Sequence, residues 1–398
     1  MSKKILSIGT HPENINGYSK VIFNILKNVD DTEFKIVHYG FQKSETFLDR
    51  QLSKHIIFDA GKYETPKLDG FNINFIEQFV QICDPDIIFI FNDPFVVCTF
   101  IERILNVKHS RTKIVVYIDQ VYEYIRHKYI DILNKYADHV CVFSEFWKQC
   151  IQSQGLTKNI SILGHGYDKS KIFTIEKSIA TQYFNLDSNS FYILNLNRNQ
   201  PRKRMDIFVL GVLKFLINNL QFYQKFKVLL IFNQTEGCYD LQEIFDNEAK
   251  LNNVQDQLKF DDIFLFIKQN LTDDQINILY NVADIGVNTC DGEGFGLCNF
   301  EHALCKKPQI ISNVGNFKNM FDNENSIKLN PIAKTYLPND KIGGISEIVS
   351  SDDLADALSC YLNNEELRTL HGNSIYKKFE KDDWISISTQ FKNIMNNI

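Results

Sequence analysis

Apolar and polar positions alternate along the chain in blocks. A short unbroken apolar run is followed by a polar turn, and then by a stretch with one apolar face. Lys4-Ile5-Leu6-Ser7-Ile8-Gly9 reads as a buried strand. The stretch from Ser19 to Val29 follows as a helix, with Val21, Ile22, Ile25, Leu26 and Val29 on one face. Further strands are predicted over Phe34–Tyr39, over Asp86–Phe91 after the turn pair Asp84-Pro85, over Lys113–Ile118 and over His139–Phe143. These runs are continuous in Ile, Val and Phe rather than alternating. Strands of that kind are buried on both faces, as in a parallel sheet with helices on each side.

Around Asp168 to Ser190 the pattern lapses into a polar stretch without a clear strand, which marks a domain boundary. A second series opens at Phe191–Asn197. It continues as helix 204–219, strands 226–232 and 262–267, helix 273–282, strand 284–288, helix 297–305 and strand 309–312, and the tail from Asp352 to Ile398 reads as helical. The expectation is therefore an α/β chain of two doubly wound, Rossmann-like domains, 1–168 and 191–375, facing across a cleft, with residues 376–398 as a terminal helix. Open α/β sheets bind ligands outside the carboxyl ends of their strands.

Composition narrows the partners. The chain has 398 residues, 44% of them hydrophobic, and a net charge of -6. An acidic chain is a poor general partner for nucleic acid, whose phosphates are held by basic surfaces. Its 9 cysteines form no Cys-x-x-Cys pair and mostly sit in apolar runs, where a thiol behaves as a small hydrophobe. That argues for a reducing, cytoplasmic setting without a disulfide framework or a zinc site. No apolar run reaches the length of a membrane span. The basic and aromatic segment Tyr124–Tyr129 reads as a solvated helix face, with peripheral membrane contact as the other reading.

Two turns carry the chemistry. In the first, Gly292-Glu293-Gly294-Phe295-Gly296-Leu297 follows the strand ending at Asn288, and a helix starts at once. Gly294 and Gly296 permit a backbone that a Cβ would block. The free N–H groups of that helix start form an anion site. A carboxylate is unsuited to phosphate but accepts strong hydrogen bonds from hydroxyls, so Glu293 and Glu301 suit sugar hydroxyls. In the second, Asn197-Arg198-Asn199-Gln200-Pro201-Arg202-Lys203-Arg204 puts four cations into the turn after the first strand of the second domain. A diphosphate would account for them, with arginine as a planar fork and lysine as a point charge. In the first domain, Gly17 and Tyr18 occupy the first strand-to-helix turn, where a glycine lets backbone approach a ligand. His11 and His38 read as structural.

With these residues in view, the chain resembles the retaining glycosyltransferases of family 4, which have the GT-B fold. Their Glu-x7-Glu signature matches Glu293 to Glu301, and their Arg-x4-Lys pair falls on Arg198 and Lys203. The runs Leu279–Asp284, His302–Ile311 and Gly164–Asp168 also look familial. The resemblance implies that Glu293 contacts the donor sugar and Glu301 the ribose, and that Gly294, Phe295, Gly296 and Leu297 offer backbone amides. It also implies that Asn197 lines the donor site, that Gly17 closes over the diphosphate, and that the terminal helix returns to the first domain. The donor is then a nucleotide-diphospho-sugar, with GDP-mannose suggested by the run Arg198–Arg204 and a UDP-sugar as the other choice. The acceptor is a glycan, a lipid or a small molecule. No metal or other cofactor is expected, because the cations and the helix start take over a metal's work. The sequence departs from the family at the histidine usual after the strand Lys113–Ile118, where Asp119 is the nearest counterpart. It departs again at Asn313–Phe317, where a second glycine and a glutamate are replaced. A rival reading is a subunit that binds a sugar nucleotide or glycan without turnover.

Overall fold

The computed structural model describes residues 2–43, 50, 52–67, 69–231, 237–267, 271–337 and 342–398. Within them the chain divides into two compact units. The first comprises Met1–Gly166, Leu337–Gly344 and Asp382–Ile398, and the second Tyr167–Tyr336 and Ile345–Lys381.

The first unit is built on a sheet of seven parallel strands: β1 (Lys3–Thr10), β2 (Phe34–Phe41), β3 (Ile56–Asp59), β4 (Ile87–Asn92), β5 (Lys113–Ile118), β6 (His139–Val142) and β7 (Ile160–Ile162). Their order across the sheet is β3-β2-β1-β4-β5-β6-β7. Every residue of β4 is buried, which is what a run without polar alternation requires. Helix starts are set locally. Asn16 and Ser19 form a reciprocal capping box at the helix Gly17–Leu26, and the Asp93 carboxylate caps the helix Pro94–Ile104, whose first residue is proline. The last helix, Trp384–Asn396, packs onto this unit. Its Ser388 hydroxyl donates to the Ile25 carbonyl at 2.9 Å, its Phe391 ring meets Phe89 edge-on at 5.0 Å, and Lys3 Nζ donates to the Met395 carbonyl at 3.0 Å.

The second unit carries six parallel strands: β8 (Phe191–Leu194), β9 (Phe226–Ile231), β10 (Phe264–Ile267), β11 (Ile285–Asn288), β12 (Gln309–Ser312) and β13 (Ser326–Leu329). The order is β10-β9-β8-β11-β12-β13. One face is covered by the helices Met205–Asn218, Leu241–Leu251 and Ser351–Asn363 around Phe208, Phe215 and Leu354. The other is covered by Asp273–Val282, Leu297–Leu304 and Glu365–Phe379 around Leu279, Phe300 and Ile375. Apolar cores on both faces explain the unbroken apolar runs. β11 contains Gly286 because a Cβ there would stand 2.1 Å from Gln309 Oε1. An antiparallel pair, β14 (Pro331–Tyr336) and β15 (Ile345–Val349), lies outside the large sheet.

Both sheets have the doubly wound parallel architecture expected from sequence. The details differ in places. Asp262 and Ile263, read as strand, belong to a helical turn over Phe260–Ile263, and β10 starts only at Phe264. Acidic residues at the start of that turn complement its dipole. Asp284 is not in β11. Its carboxylate accepts from the Tyr192 amide at 2.8 Å and from Lys177 Nζ at 2.7 Å, which ties the strand entrances together. Strands β3 and β7 are short and half-exposed or exposed, β13 is four residues long and β14 is largely exposed, so none carries a clear apolar run; β15 is largely buried but only five residues long.

The terminal helix offers a test of how the first unit is closed. Phe391 is fully buried. Phe391→Ala should destabilise the protein by about 3–5 kcal/mol, the usual cost of emptying a buried aromatic site. Denaturant unfolding followed through the first unit measures it; a loss below about 1 kcal/mol would show that the helix is not needed to close the core.

Candidate functional site

In a doubly wound sheet the strand order reverses between two neighbouring strands, and the turns leaving them diverge to open a crevice. In the second unit those strands are β8 and β11. The turn after β8 is the cationic run Asn197–Arg204, and the turn after β11 is the glycine-rich run around Glu293. Topology thus brings together two segments that lie some ninety positions apart.

Hydrogen bonds zip the two turns. The Asp291 amide donates to the Arg202 carbonyl at 2.9 Å. The Thr289 hydroxyl donates to the Arg204 carbonyl at 3.0 Å. Arg204 has φ +47°, a left-handed backbone that a side chain enters at a cost. Its guanidinium grips the Asp206 carboxylate with two bonds, at 3.0 and 2.7 Å, at the start of the next helix.

Glu293 sits at the centre. It is 6% exposed, and Lys203, whose ammonium bonds to its carboxylate, is 7% exposed. Arg202 Nη1 stands 3.7 Å from the other carboxylate oxygen and donates to the Gly292 carbonyl at 3.2 Å. Burial works against the Glu293 anion. The Lys203 and Arg202 charges, with hydrogen bonds from Lys203 and Asn288, outweigh it, so the carboxyl is held below its ordinary range and is ionised at neutral pH. Asn288 is itself fixed: its Nδ2 donates to Asn299 Oδ1 at 2.8 Å, and Asn299 donates on to Gln309 at 2.9 Å.

The glycines around Glu293 have separable reasons. Gly296 has φ +83°, and a Cβ on it would stand 2.1 Å from the Phe317 ring. It is also the N-cap of the helix Leu297–Leu304 and, as glycine, supplies no side-chain cap, so the amides of that helix start face the turn. Gly315, from the stretch read as a departure, has φ +47° and packs so closely that a Cβ would stand 2.3 Å from the Glu293 carbonyl oxygen. The next residue, Asn316, donates its amide to that carbonyl at 3.2 Å and its side chain to the Phe295 carbonyl at 3.3 Å. Asn313–Phe317 therefore acts as a brace under the Glu293 turn.

The remaining predicted residues fall into three groups. Glu301 is buried on the same helix and accepts from the Tyr280 hydroxyl at 3.2 Å. Asn197 is buried against Asn195, whose Oδ1 accepts from its side chain at 2.7 Å. The Phe295 ring packs edge-on against Phe300 at 5.3 Å, while Gly294 is buried and Leu297 half-buried in the same turn. Arg198 is exposed, and the arginine standing against Glu293 is Arg202. Arg202 lies in the predicted cationic run directly before Lys203, and that position is its signal in the sequence. Gly17, Tyr18 and Asp119 belong to the first unit. Gly17 opens its helix, and a Cβ there would meet nothing within 4 Å beyond its own helix and chain neighbours, so its packing does not demand glycine. Tyr18 packs edge-on against Phe91 at 5.4 Å. Asp119 follows β5 half-buried, its amide donating to the Asn92 carbonyl at 3.0 Å.

The first unit also holds a cavity of about 360 Å³ at the carboxyl ends of β1 to β3, lined by His11, Glu13, Lys43, Arg50, His55 and Asp59 among others. His11, read as structural, lines it while its ring fills the space beside Gly40. Burial, and then the Lys43 charge, lower its pKa, so the imidazole is neutral at pH 7. His38 keeps a structural place between the Ser7 hydroxyl and the Thr10 carbonyl, and burial pushes its pKa down to about 3. Among the described residues, no helix is long and apolar enough to cross a membrane.

Comparison by sequence finds no matching family model and no matching curated protein. Comparison of structures finds likeness along the whole chain. The sucrose-phosphate synthase of Thermosynechococcus elongatus matches over 99% of this chain and 98% of its own, at 14% identity and a TM-score of 0.74. Anabaena Alr3699/HepE, solved with UDP-glucose, matches over 100% of both chains at 15% identity and 0.73. S. aureus TarM, solved with Fondaparinux, alpha-GlcNAc-glycerol and UDP, matches over 99% of this chain and 100% of its own at 13% identity and 0.69. The fold shared with these glycosyltransferases is GT-B, with two Rossmann-like domains.

The buried ion pair predicts a coupled response. Glu293→Gln leaves Lys203 buried against a neutral group and should cost on the order of 3 kcal/mol. Lys203→Met should cost a similar amount, and the double variant less than the sum of the two. The lowered carboxyl pKa of Glu293 contributes stability that is fully present above the unfolded-chain value of 4.5 and lost as pH falls through the lower folded value. The gap between wild type and Glu293→Gln should therefore hold at neutral pH and close below about 4.5. Urea unfolding across that pH range checks both statements; additive single effects with a pH-independent gap would contradict them.

Proposed function

We propose that this protein is a glycosyltransferase that moves a sugar from a nucleotide-diphospho-sugar to a hydroxyl acceptor, with retention at the anomeric carbon, as in family 4. One observation carries the reading. Glu293 is a buried, ionised carboxylate held by Lys203 and Arg202 beside an uncapped helix start, at the switch point of a Rossmann-like unit, in a chain with the GT-B fold over its full length.

In this reading the diphosphate lies against the helix start at Gly296–Leu297 and the cationic run, and Glu293 accepts hydrogen bonds from the donor sugar. Breaking the anomeric C–O bond transfers its electron pair to the leaving diphosphate. Lys203, Arg202 and Arg198 stabilise that charge from fixed positions, which is preorganised electrostatic catalysis. These cations and amides take the part of a divalent metal, so the reaction proceeds without one. The acceptor oxygen forms the new bond on the face the leaving group departs from. Its proton passes to a donor phosphate oxygen, so no protein nucleophile takes part. Glu301 serves the ribose.

Two of the similar structures hold UDP or a UDP-sugar, which makes UDP-sugars the first donors to test and GDP-mannose the next. The acceptor class we favour is a carbohydrate. The cavity lined by Glu13, Asp59 and neutral His11 offers carboxylates and an imidazole to hydroxyl groups, and a lipid-linked sugar presents the same groups.

The test is release of nucleotide from UDP- and GDP-sugars by the purified protein, with and without acceptor sugars. Lys203→Ala and Arg202→Ala should each lower turnover by roughly 100- to 1,000-fold, the range for losing one preorganised charge-stabilising donor. Silence toward every nucleotide sugar in both binding and turnover would overturn the proposal. Binding without turnover would leave the non-catalytic subunit as the better reading.

A further inference from the structure

The second unit contains a cavity of about 510 Å³ that the reading above does not use. Its volume lies in the range of small-molecule pockets. It sits at the carboxyl end of the helix Leu297–Leu304, whose amino end carries the Glu293 turn. Eight residues at 1.5 Å each put the two sites about 12 Å apart along that helix.

The lining is cationic and aromatic. Lys169, Lys306 and Lys381 contribute ammonium groups against the single carboxylate of Glu380, and Tyr167, Phe173 and Tyr376 contribute rings. In a chain of net charge -6 this local excess of positive charge runs against the average surface. The three lysines come from separate segments: Lys169 near the start of the unit, Lys306 in the turn after the helix Leu297–Leu304, and Lys381 at its last residue. A charged run in sequence does not produce the cluster; the fold gathers it.

Two parts of this lining are held in place. Lys306 has φ +59°, and its amide closes the preceding helix on the Ala303 carbonyl at 2.9 Å. Gly372 lets the neighbouring helix lie against it, since a Cβ there would stand 2.1 Å from the Lys306 carbonyl oxygen. The Lys306 ammonium rests over the Tyr376 ring, 5.1 Å from its centre. Such an exposed cation–π contact is weak, roughly 0.5–1 kcal/mol, and yields readily to a charged acceptor. Phe173 is the second fixed part. The residue is 48% exposed, yet its amide donates to Asn277 at 3.1 Å and its carbonyl accepts from Asn281 at 2.9 Å. Both asparagines are buried. One exposed ring alone is ordinary. A ring displayed on an anchored backbone, at a cavity with three ammonium groups, matches a ligand that joins a flat ring to an anion.

We propose that this cavity is a second binding site, taking a compact phosphorylated ligand with a flat ring face: a sugar phosphate or a nucleoside monophosphate. The ring stacks on Phe173, and the phosphate is held by Lys306 and Lys381. The inference does not depend on the Glu293 site being catalytic.

Equilibrium binding to the full chain tests it, with glucose 6-phosphate, AMP, glucose and inorganic phosphate as probes. One of the two phosphorylated ring compounds should bind saturably, and which one does separates a sugar from a nucleoside source. Glucose and inorganic phosphate, each lacking half of the chemistry, should bind at least about tenfold more weakly. The double variant Lys306→Ala, Lys381→Ala and the single variant Phe173→Ala should each weaken binding about tenfold or more, with melting curves showing that the exposed substitutions leave the fold intact. Arg202→Ala, at the Glu293 turn, should leave it unchanged. Failure of both phosphorylated compounds to bind at millimolar concentration would overturn the proposal. So would full affinity in the lysine variant, or loss of affinity in Arg202→Ala, since either would move the ligand to the Glu293 turn.

Discussion

The Glu293–Lys203 ion pair is the contact on which the second unit's functional surface depends. Burying two opposite charges is expensive unless their geometry is good and their remaining bonds are met. Here the surroundings supply both. Arg202 adds a second cation, Asn288 a hydrogen bond, and the zipped backbone between Thr289–Asp291 and Arg202–Arg204 fixes the distance between the two turns. On the proposed function, the pair holds ready a cation for the diphosphate and a carboxylate for the sugar, both already desolvated.

The same pair explains the brace beneath it. A carboxylate on a glycine-rich turn would be poorly positioned unless the turn were pinned from behind. Gly315 approaches the Glu293 backbone where no side chain fits, and Asn316 bonds to the Glu293 and Phe295 carbonyls. From the other side, the Ser346 hydroxyl of β15 donates to Asp291 at 2.8 Å, and the Glu347 amide donates to the Asp291 carbonyl at 3.0 Å. Glu347 in turn is held between Lys318 and Lys334, each at 2.7 Å. The β14–β15 pair, which adds no strand to the large sheet, thus serves to position the site.

The helix Leu297–Leu304 carries consequences at both ends. Its amino end is left without a side-chain cap by Gly296 and presents amides to the Glu293 turn. Its carboxyl end is closed by Lys306 in a left-handed backbone, beside a cavity of cationic and aromatic lining. One short element therefore contributes to two surfaces of opposite construction, a carboxylate ringed by cations and a cluster of ammonium groups over rings.

Much of this was legible in the sequence where the physics is local. Unbroken Ile, Val and Phe runs announced strands buried on both faces, and the alternation of such strands with amphipathic stretches determined two parallel, doubly wound sheets. The spacing of Glu293, Gly294, Gly296 and Glu301 marked a turn entering a helix, because backbone conformation and helix starts depend on neighbours in the chain. Tertiary structure decided the rest. It set Arg202 beside Glu293, because the switch point between β8 and β11 brings the turn that carries Arg202 against the Glu293 turn. It turned Asn313–Phe317 from an apparent departure into a brace, and it gathered Lys169, Lys306 and Lys381 around one cavity. Edge strands such as β3 and β7 escaped notice for a related reason: half-exposed and only three or four residues long, they are specified by the neighbour they pair with. Sequence determined what each segment becomes, while long-range packing determined which charges meet.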